Sequence, residues 1–281
     1  MSDSCGKCGA AVALHLRECP VCNTPAGFPN VKVADSAKEV AALAVRYDDA
    51  MASAKARGLI FEVLAFESVV ATASKAVMNR SLGALSSWLN GQSVLFYSFW
   101  HQVKYQGRQP TETEWDQQRG AAEAAINPYY YEYLNFAALT LDGHGMFYYG
   151  PYSVTLKSVT IDDRASVFEK NPFVFCRTHH VLAGQSPPSG YRAPWKDRAR
   201  LAVAKLQPQI LPRQDFADLL MEDRRGESDC DFVEVHVFGP IHIQGIERIV
   251  GPEPARRPDR AIWKQILRKA KELGAAVEVT T

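Results

Sequence analysis

The sequence holds no apolar run approaching the ~20 residues that span a bilayer. Its start, Met-Ser-Asp-Ser-Cys, lacks the charged-then-apolar layout of a secretory leader. No membrane role is expected, and the expected compartment is the cytoplasm. Net charge is also nearly absent: 32 Lys and Arg face 31 Asp and Glu, for a formal +1. Whole-molecule electrostatics therefore point to no partner, and a nucleic-acid binder of this composition needs a local basic patch rather than a basic chain. No Gly-x-Gly-x-x-Gly or Gly-x-x-x-x-Gly-Lys-Ser/Thr loop occurs, which excludes a dinucleotide held on a Rossmann turn. Cysteine is scarce, with 6 in 281 residues; in the cytoplasm, disulfides are not expected and paired cysteines more often hold metal. What is there, 47% hydrophobic and 22% charged residues, is the make-up of a soluble globular protein with room for one large domain or a domain with appendages.

Four of the cysteines fall into a pattern. Cys5-Gly-Lys-Cys8 and Cys19-Pro-Val-Cys22 are two Cys-x-x-Cys knuckles with ten residues between them. Zinc takes four thiolates in a tetrahedron, and each knuckle offers two from one tight turn. Gly9 and Asn23, one after each second cysteine, suit the left-handed backbone such turns need. Two unrelated redox pairs are the alternative reading of the spacing. With four Cys no coordination position stays open, so Cys5, Cys8, Cys19 and Cys22 are expected to hold a structural zinc. His15, between the knuckles, reads as a surface residue rather than a fifth ligand. Cys176 and Cys230 are left over and read as inert buried thiols.

Beyond a connector with Pro25, Gly27 and Pro29, Ser36-Ala-Lys-Glu39 reads as a capping box. Val40, Leu43, Tyr47 and Met51 then recur at helical spacing up to Gly58. This helix reads as an arm packing the ribbon against the rest. Residues 59–70 are ambiguous between buried helix and strand; residues 69–76 alternate loosely and predict an early strand, with a helix over 79–89 after it. Residues 91–140 are aromatic and mostly helical in character. Within them Tyr129-Tyr-Tyr-Glu-Tyr133 reads either as core or as a platform on which flat rings stack. Past the hinge at Gly150-Pro151, Tyr152, Val154 and Leu156 share one strand face, Ser153 and Thr155 the other. A helix over 195–206 predicts a modest basic surface from Arg198, Arg200 and Lys205. A last helix, capped by Asp259, puts Ile262, Ile266, Leu267 and Leu273 inward and Lys264, Arg268 and Lys271 outward.

The stretch around residue 234 alternates strictly. Val233, Val235 and Val237 fall on one side of a strand, and Phe232, Glu234, His236 and Phe238 on the other, before a Gly239-Pro240 turn. A valine stripe with a lone carboxylate opposite suggests a strand whose back lies on the core and whose front lines a cleft. The plain alternative is a half-exposed strand with a solvated Glu.

Phe-Val-Glu-Val-His-Val-Phe-Gly-Pro-Ile resembles the late core strand of ADP-ribosyltransferases, and more closely that of transferase-like proteins grouped with bacterial toxin and phage-defence systems. The similarity covers residues 70–250, and its most specific pieces are this strand and Tyr149-Gly-Pro-Tyr-Ser153. The resemblance implies an α+β fold with a split β-sheet core around an NAD cleft and flanking helices, plus the zinc ribbon. The expected division is a ribbon over 1–30, a helical connector over 31–58, a catalytic domain over 59–250, and a C-terminal helix and short strand over 251–281. It further implies that the first strand carries an Arg, His or Thr contacting NAD. This sequence offers Thr72, Ser74 and Arg80, with no Arg or His inside the strand; the plainer reading of Arg80 is a solvated helix residue. Tyr149 and Ser153 match residues that position the nicotinamide ribose. Arg164 reads as a fork on the cofactor pyrophosphate or as a surface salt bridge. Arg224 and Arg225 read as target contacts or as a solvated turn.

Breaking the nicotinamide–ribose bond of NAD builds positive charge on the sugar, as in glycoside hydrolysis. On this resemblance Glu234 holds the 2′-hydroxyl, stabilises that charge and accepts the nucleophile's proton. Implied acceptors are RNA or DNA ahead of a protein such as a translation factor, and implied partners are an antitoxin and a chaperone. Two rivals stand beside this reading. One is a zinc-ribbon binding module on an inactive transferase-like domain. The other is a nuclease using His179, His180, His236 or His242, against which no acid/His group stands at metal spacing outside the cysteines.

Overall fold

The structure is a computed structural model that describes residues 2–13, 16–91, 94–105, 114–182, 184–221 and 231–280. His15, Arg224, Arg225 and Cys230 lie outside the described residues. The amino-terminal ribbon has two short antiparallel strands, β1 (Ser2–Ser4) and β2 (Ala11–Ala13). Helix α1 (Pro29–Ala34) begins on a proline, tolerated where the backbone donor has no helical partner anyway. In α2 (Ala37–Ala56), Ser36 holds the N-cap position without a side-chain cap bond. Glu39 instead turns inward, accepting from Gly190 N at 2.6 Å and pairing with Arg192 at 3.3 Å. The expected capping box is therefore not formed, because a buried carboxylate is better satisfied by a guanidinium and an amide than by an exposed helix end.

Helix α3 (Ile60–Ala73) settles the ambiguous apolar run: Val63, Phe66 and Val70 recur on one helical face and are fully buried. The first large-sheet strand is thereby displaced to β3 (Lys75–Arg80). Next come α4 (Leu82–Asn90), β4 (Leu95–Phe96), α5 (Phe99–Tyr105), α6 (Glu114–Ile126), β5 (Leu134–Thr140), β6 (Tyr152–Leu156), β7 (Ala165–Phe168) and α7 (Pro172–Thr178). Then follow β8 (Arg192–Pro194), α8 (Arg198–Leu206), α9 (Phe216–Leu220), β9 (Glu234–Phe238), β10 (Ile241–His242), β11 (Ile246–Pro252), α10 (Arg257–Glu272) and β12 (Ala276–Thr280).

Among the described residues eight strands join in the order β12-β11-β6-β3-β5-β9-β7-β8, antiparallel except for the β11–β12 pair. The α+β class, with a large sheet and flanking helices, is the one expected. The sheet is forked at its centre. β3 and β5 share three register pairs, Lys75↔Thr140, Ala76↔Leu139 and Val77↔Ala138. Beyond them β3 stays laddered to β6 through Arg80, and β5 to β9 through Leu134, so the two arms part.

Val233, Val235 and Val237 are fully buried in the main core with Leu139, Val167, Leu201 and Val203. Helices α2, α3 and α8 pack together on this arm. α8 does not supply the expected basic surface. Arg198 is buried, its guanidinium donating to Ser74 Oγ at 2.9 Å, Trp195 O at 3.1 Å and Ala71 O. Lys205 is buried against Asp231 at 2.8 Å, and Arg200 stacks over Tyr47. On the other arm α10 packs along α4 through Trp263, Ile266 and Ala270. Arg256 holds the N-cap position of α10, and Asp259 pairs with Arg256 at 2.7 Å instead of capping. Among the described residues no helix is long and apolar enough to cross a membrane.

Candidate active site at the fork of the sheet

Where β3 and β5 part, their facing residues lose the ladder that would close the gap. The space between them is a cavity of about 650 Å³, within the size of small-molecule clefts. One wall is the end of β3 (Asn79, Arg80) with α4 (Ala84, Ser87, Trp88); the other is β5 (Asn135, Phe136, Ala137). Phe96 from β4, Tyr97 from the link after it and Phe99 at the start of α5 add aromatic surface, and Phe232 and Glu234 lie on the β9 side. β4 is held there by pairing with β10, just after the Gly239-Pro240 turn.

Glu234 is 4% exposed and lies on this cavity. Alternation puts His236 on the same face of β9, and its Nε2 stands 2.9 Å from Glu234 Oε1. The other ring nitrogen, Nδ1, is 3.3 Å from Asn127 Nδ2. An amide NH₂ can only donate, so Nδ1 accepts and the ring proton sits on Nε2, donated to the carboxylate. Burial, reinforced by the charge of Arg192, holds the His236 pKa down to about 3. The contact is accordingly a hydrogen bond from a neutral imidazole and not an ion pair. Phe136 and Phe168 flank the ring at 5.1 and 5.8 Å, fixing its plane, and Asn171 Nδ2 approaches Glu234 Oε2 at 3.5 Å. A carboxylate so held has little rotameric freedom to lose when it engages a ligand.

Of the other residues singled out in the sequence, Arg80 and Tyr149 reach the cavity. Arg80 ends β3, donates to Asn79 O at 2.6 Å and lies over the Phe96 ring at 4.5 Å. It is a strand residue and not part of the following helix. Tyr149 ends a 3-10 turn, and Gly150 beside it has φ 138; a Cβ there would stand 2.2 Å from the Arg80 carbonyl carbon. Glycine alone permits that approach. Ser153 is buried behind the wall, its hydroxyl accepting from Asn79 Nδ2 and Gly145 N, both at 3.2 Å. It positions Asn79 and does not itself line the cavity.

Thr72, Ser74 and Arg164, like Ser153, stand away from the cavity. Thr72 sits near the end of α3, exposed, with its hydroxyl spent on Ser68 O. Ser74 caps the same helix and accepts from Arg198. Neither is on a strand, because the helix runs on through Ala73. Arg164 does not line the cavity, and among the described residues it forms no surface salt bridge: its guanidinium donates to Thr160 O, Phe238 O and Pro240 O at 2.8–2.9 Å, tying down the turn after β9. Of the tyrosine run, Tyr130 is core, Tyr129 is exposed, and Tyr133 stacks on Phe238 away from the cavity. Asn79, Phe96 and Phe136 are cavity residues that sequence reasoning did not single out. The Glu-x-His spacing was the available sign of the Glu234–His236 pair.

The four cysteine sulfurs lie within 4.8 Å of one another, with Cys5–Cys22 at 3.6 Å and Cys8–Cys19 at 3.5 Å. Tetrahedral zinc with bonds of ~2.3 Å sets its sulfurs about 3.8 Å apart, so the donor set fits. Gly9 and Asn23 have φ values of 72 and 51, and their amides close the knuckles on Cys5 O and Cys19 O. Among the described residues this is the group of three or more His, Cys, Asp or Glu within reach of one metal. His179 packs on Phe175 and Tyr191, and His242 Nδ1 accepts from Gln244 N. Those histidines stand apart from the cavity.

No family of known sequences matches the chain, and no curated protein does. Among solved structures it is similar to Thermosipho africanus DarTG in complex with ADP-ribose, at 9% identity and a TM-score of 0.39, over 73% of this chain and 49% of that one. It is also similar to Thermus sp. 2.9 DarT in complex with carba-NAD+, at 10% identity and a TM-score of 0.36, over 74% and 95%. The chain thus spans about half the length of the first of these structures. At such identities its chemistry is to be read from its own residues.

Proposed function

We propose that this chain is an NAD-dependent ADP-ribosyltransferase of the toxin or defence-effector kind, with Glu234 as its catalytic carboxylate. A single observation carries this reading: a carboxylate buried on the β9 strand, fixed by His236, at a cavity opened by the fork of the sheet. NAD is the substrate of this reaction. When its glycosidic bond breaks, the bonding electron pair leaves with neutral nicotinamide, and positive charge appears on the ribose. In this reading Glu234, its Oε1 fixed by His236 and its Oε2 approached by Asn171, receives the 2′-hydroxyl and faces that charge. The acceptor atom then bonds to the sugar, and its proton passes to Glu234. In this reading Arg80, a cation lining the cavity from the opposite arm, meets the pyrophosphate, and Tyr149 and the Phe96–Phe99 rings, which also line it, take the faces of the bases.

The acceptor in this proposal is a macromolecule, nucleic acid ahead of protein, and a neutralising antitoxin with a chaperone are the partners such a toxin brings. The ribbon cysteines hold a structural zinc. The test is nicotinamide release from NAD, alone and with added RNA, DNA or cell extract. The Glu234→Gln variant is expected to lose on the order of 10²-fold or more in rate. Release equal in wild type and variant, or none with any acceptor, would sink the proposal. Nucleic-acid cleavage that requires added divalent metal and no NAD would put the nuclease in its place.

A further inference from the structure

Helix α10 carries a row of cations that the cavity chemistry does not use. Arg257, Arg260, Lys264, Arg268 and Lys271 are all exposed. Their spacing is 3, 4, 4 and 3 residues; at ~100° per residue they project within about 80° of one another, along about 21 Å of helix. Trp263, Ile266 and Ala270 hold the buried face. The acids of the helix lie outside this row. Asp259 turns toward the core side and pairs with Arg256, while Glu272 sits to one flank, 3.9 Å from Arg268 and 3.2 Å from Lys269. Among the described residues Arg257, Arg260, Lys264 and Lys271 have no carboxylate partner.

A row of five like charges on one helix face costs self-repulsion, which a chain of net charge +1 has no overall need to accept. It matches a ligand whose own charges are evenly strung out. A nucleic-acid strand carries one phosphate per ~3.4 Å along a duplex, so the row spans about six of them. α10 also packs along α4, whose Ala84, Ser87 and Trp88 line the cavity. A strand lying on α10 therefore passes one helix away from the candidate site. We infer that α10 is the docking ridge for the phosphate backbone of the nucleic acid on which the enzyme acts. The inference rests on the transferase reading for what happens next, but the binding itself needs neither NAD nor Glu234.

The experiment is fluorescence anisotropy with the full chain and labelled single-stranded RNA, single-stranded DNA and duplex DNA of about 20 nucleotides, between about 50 and 200 mM salt without NAD. Five neutralised phosphates give a slope of log K on log salt of about −3.5 for a single strand. Arg260→Gln/Lys264→Gln/Arg268→Gln is expected to make that slope shallower by about 2 and to weaken binding at least tenfold. The charge-keeping pair Arg260→Lys/Arg268→Lys should bind as wild type does. An unchanged slope and affinity in the triple variant, with an unchanged thermal midpoint, overturns the ridge. So does binding of phosphatidylserine vesicles, but of none of the oligonucleotides, that the triple variant loses. Because the assay contains no NAD, loss of the transferase reading by the nicotinamide test leaves this result standing, and the reverse holds too.

Discussion

At the scale of single residues the decisive pair is Glu234 and His236. Alternation alone put both on the front of one strand, and the carboxylate was legible from the sequence as the group opposite a valine stripe. The role of His236 was not, because it depends on Asn127, which is 109 residues away in sequence and is brought up by the end of α6. His236→Phe keeps a ring between Phe136 and Phe168 but removes the donor to Oε1. A hydrogen bond to a charged group contributes about 1.5–3 kcal/mol. The maximal rate of nicotinamide release should therefore fall roughly 10- to 100-fold with little change in the KM for NAD, and His236→Gln, which can still donate, should recover part of it. The same residue sets a pH dependence of stability. With a folded pKa of about 3 against an ordinary 6.5, the unfolded chain holds the extra proton between those values. Stability is then fully present above 6.5 and is lost as pH falls toward 3. Urea midpoints at pH 7 and pH 5 should reveal a loss of about 2 kcal/mol that His236→Phe lacks.

At the scale of elements, strand β9 and the carboxy-terminal helix read correctly, since each has an unbroken period of its own. The first strand read one element too early. Residues 69–73 suit either structure locally, and the choice is made by Val63, Phe66 and Val70 sharing a buried helical face with residues far along the chain. That shift removed Thr72 and Ser74 from consideration and left Arg80 at the strand end. The fork was beyond local reading, because it arises where β3 and β5 cease to pair. Its edge depends on Gly150. In Gly150→Ala the new methyl meets the Arg80 backbone, which has no flexible end to move aside. The substitution should cost about 1–3 kcal/mol in urea unfolding and raise the KM for NAD by displacing Tyr149, with the Glu234 geometry untouched. An unchanged KM would separate Tyr149 from the cofactor.

At the scale of the whole molecule, the cysteine knuckles were legible because their spacing is itself the chemistry. The way the ribbon joins the rest was not. Purified protein should contain about one zinc per chain by elemental analysis, and Cys19→Ser should lose it together with part of the thermal midpoint. Retention of full stability without metal would make the cluster a passive fold. Joining the ribbon to the sheet is α1, whose Asn30 side chain donates to Arg164 O at 3.0 Å, Ser166 Oγ at 3.2 Å and His236 O at 2.9 Å. Arg17 from the ribbon lies over Phe28, immediately before α1, and Phe28 packs on Phe238. One amide thus bolts the amino-terminal module to the strand two residues from Glu234. The ribbon is no loosely tethered probe, and anything it grips is held at a set distance and bearing from that carboxylate, as a jig holds a workpiece to its tool.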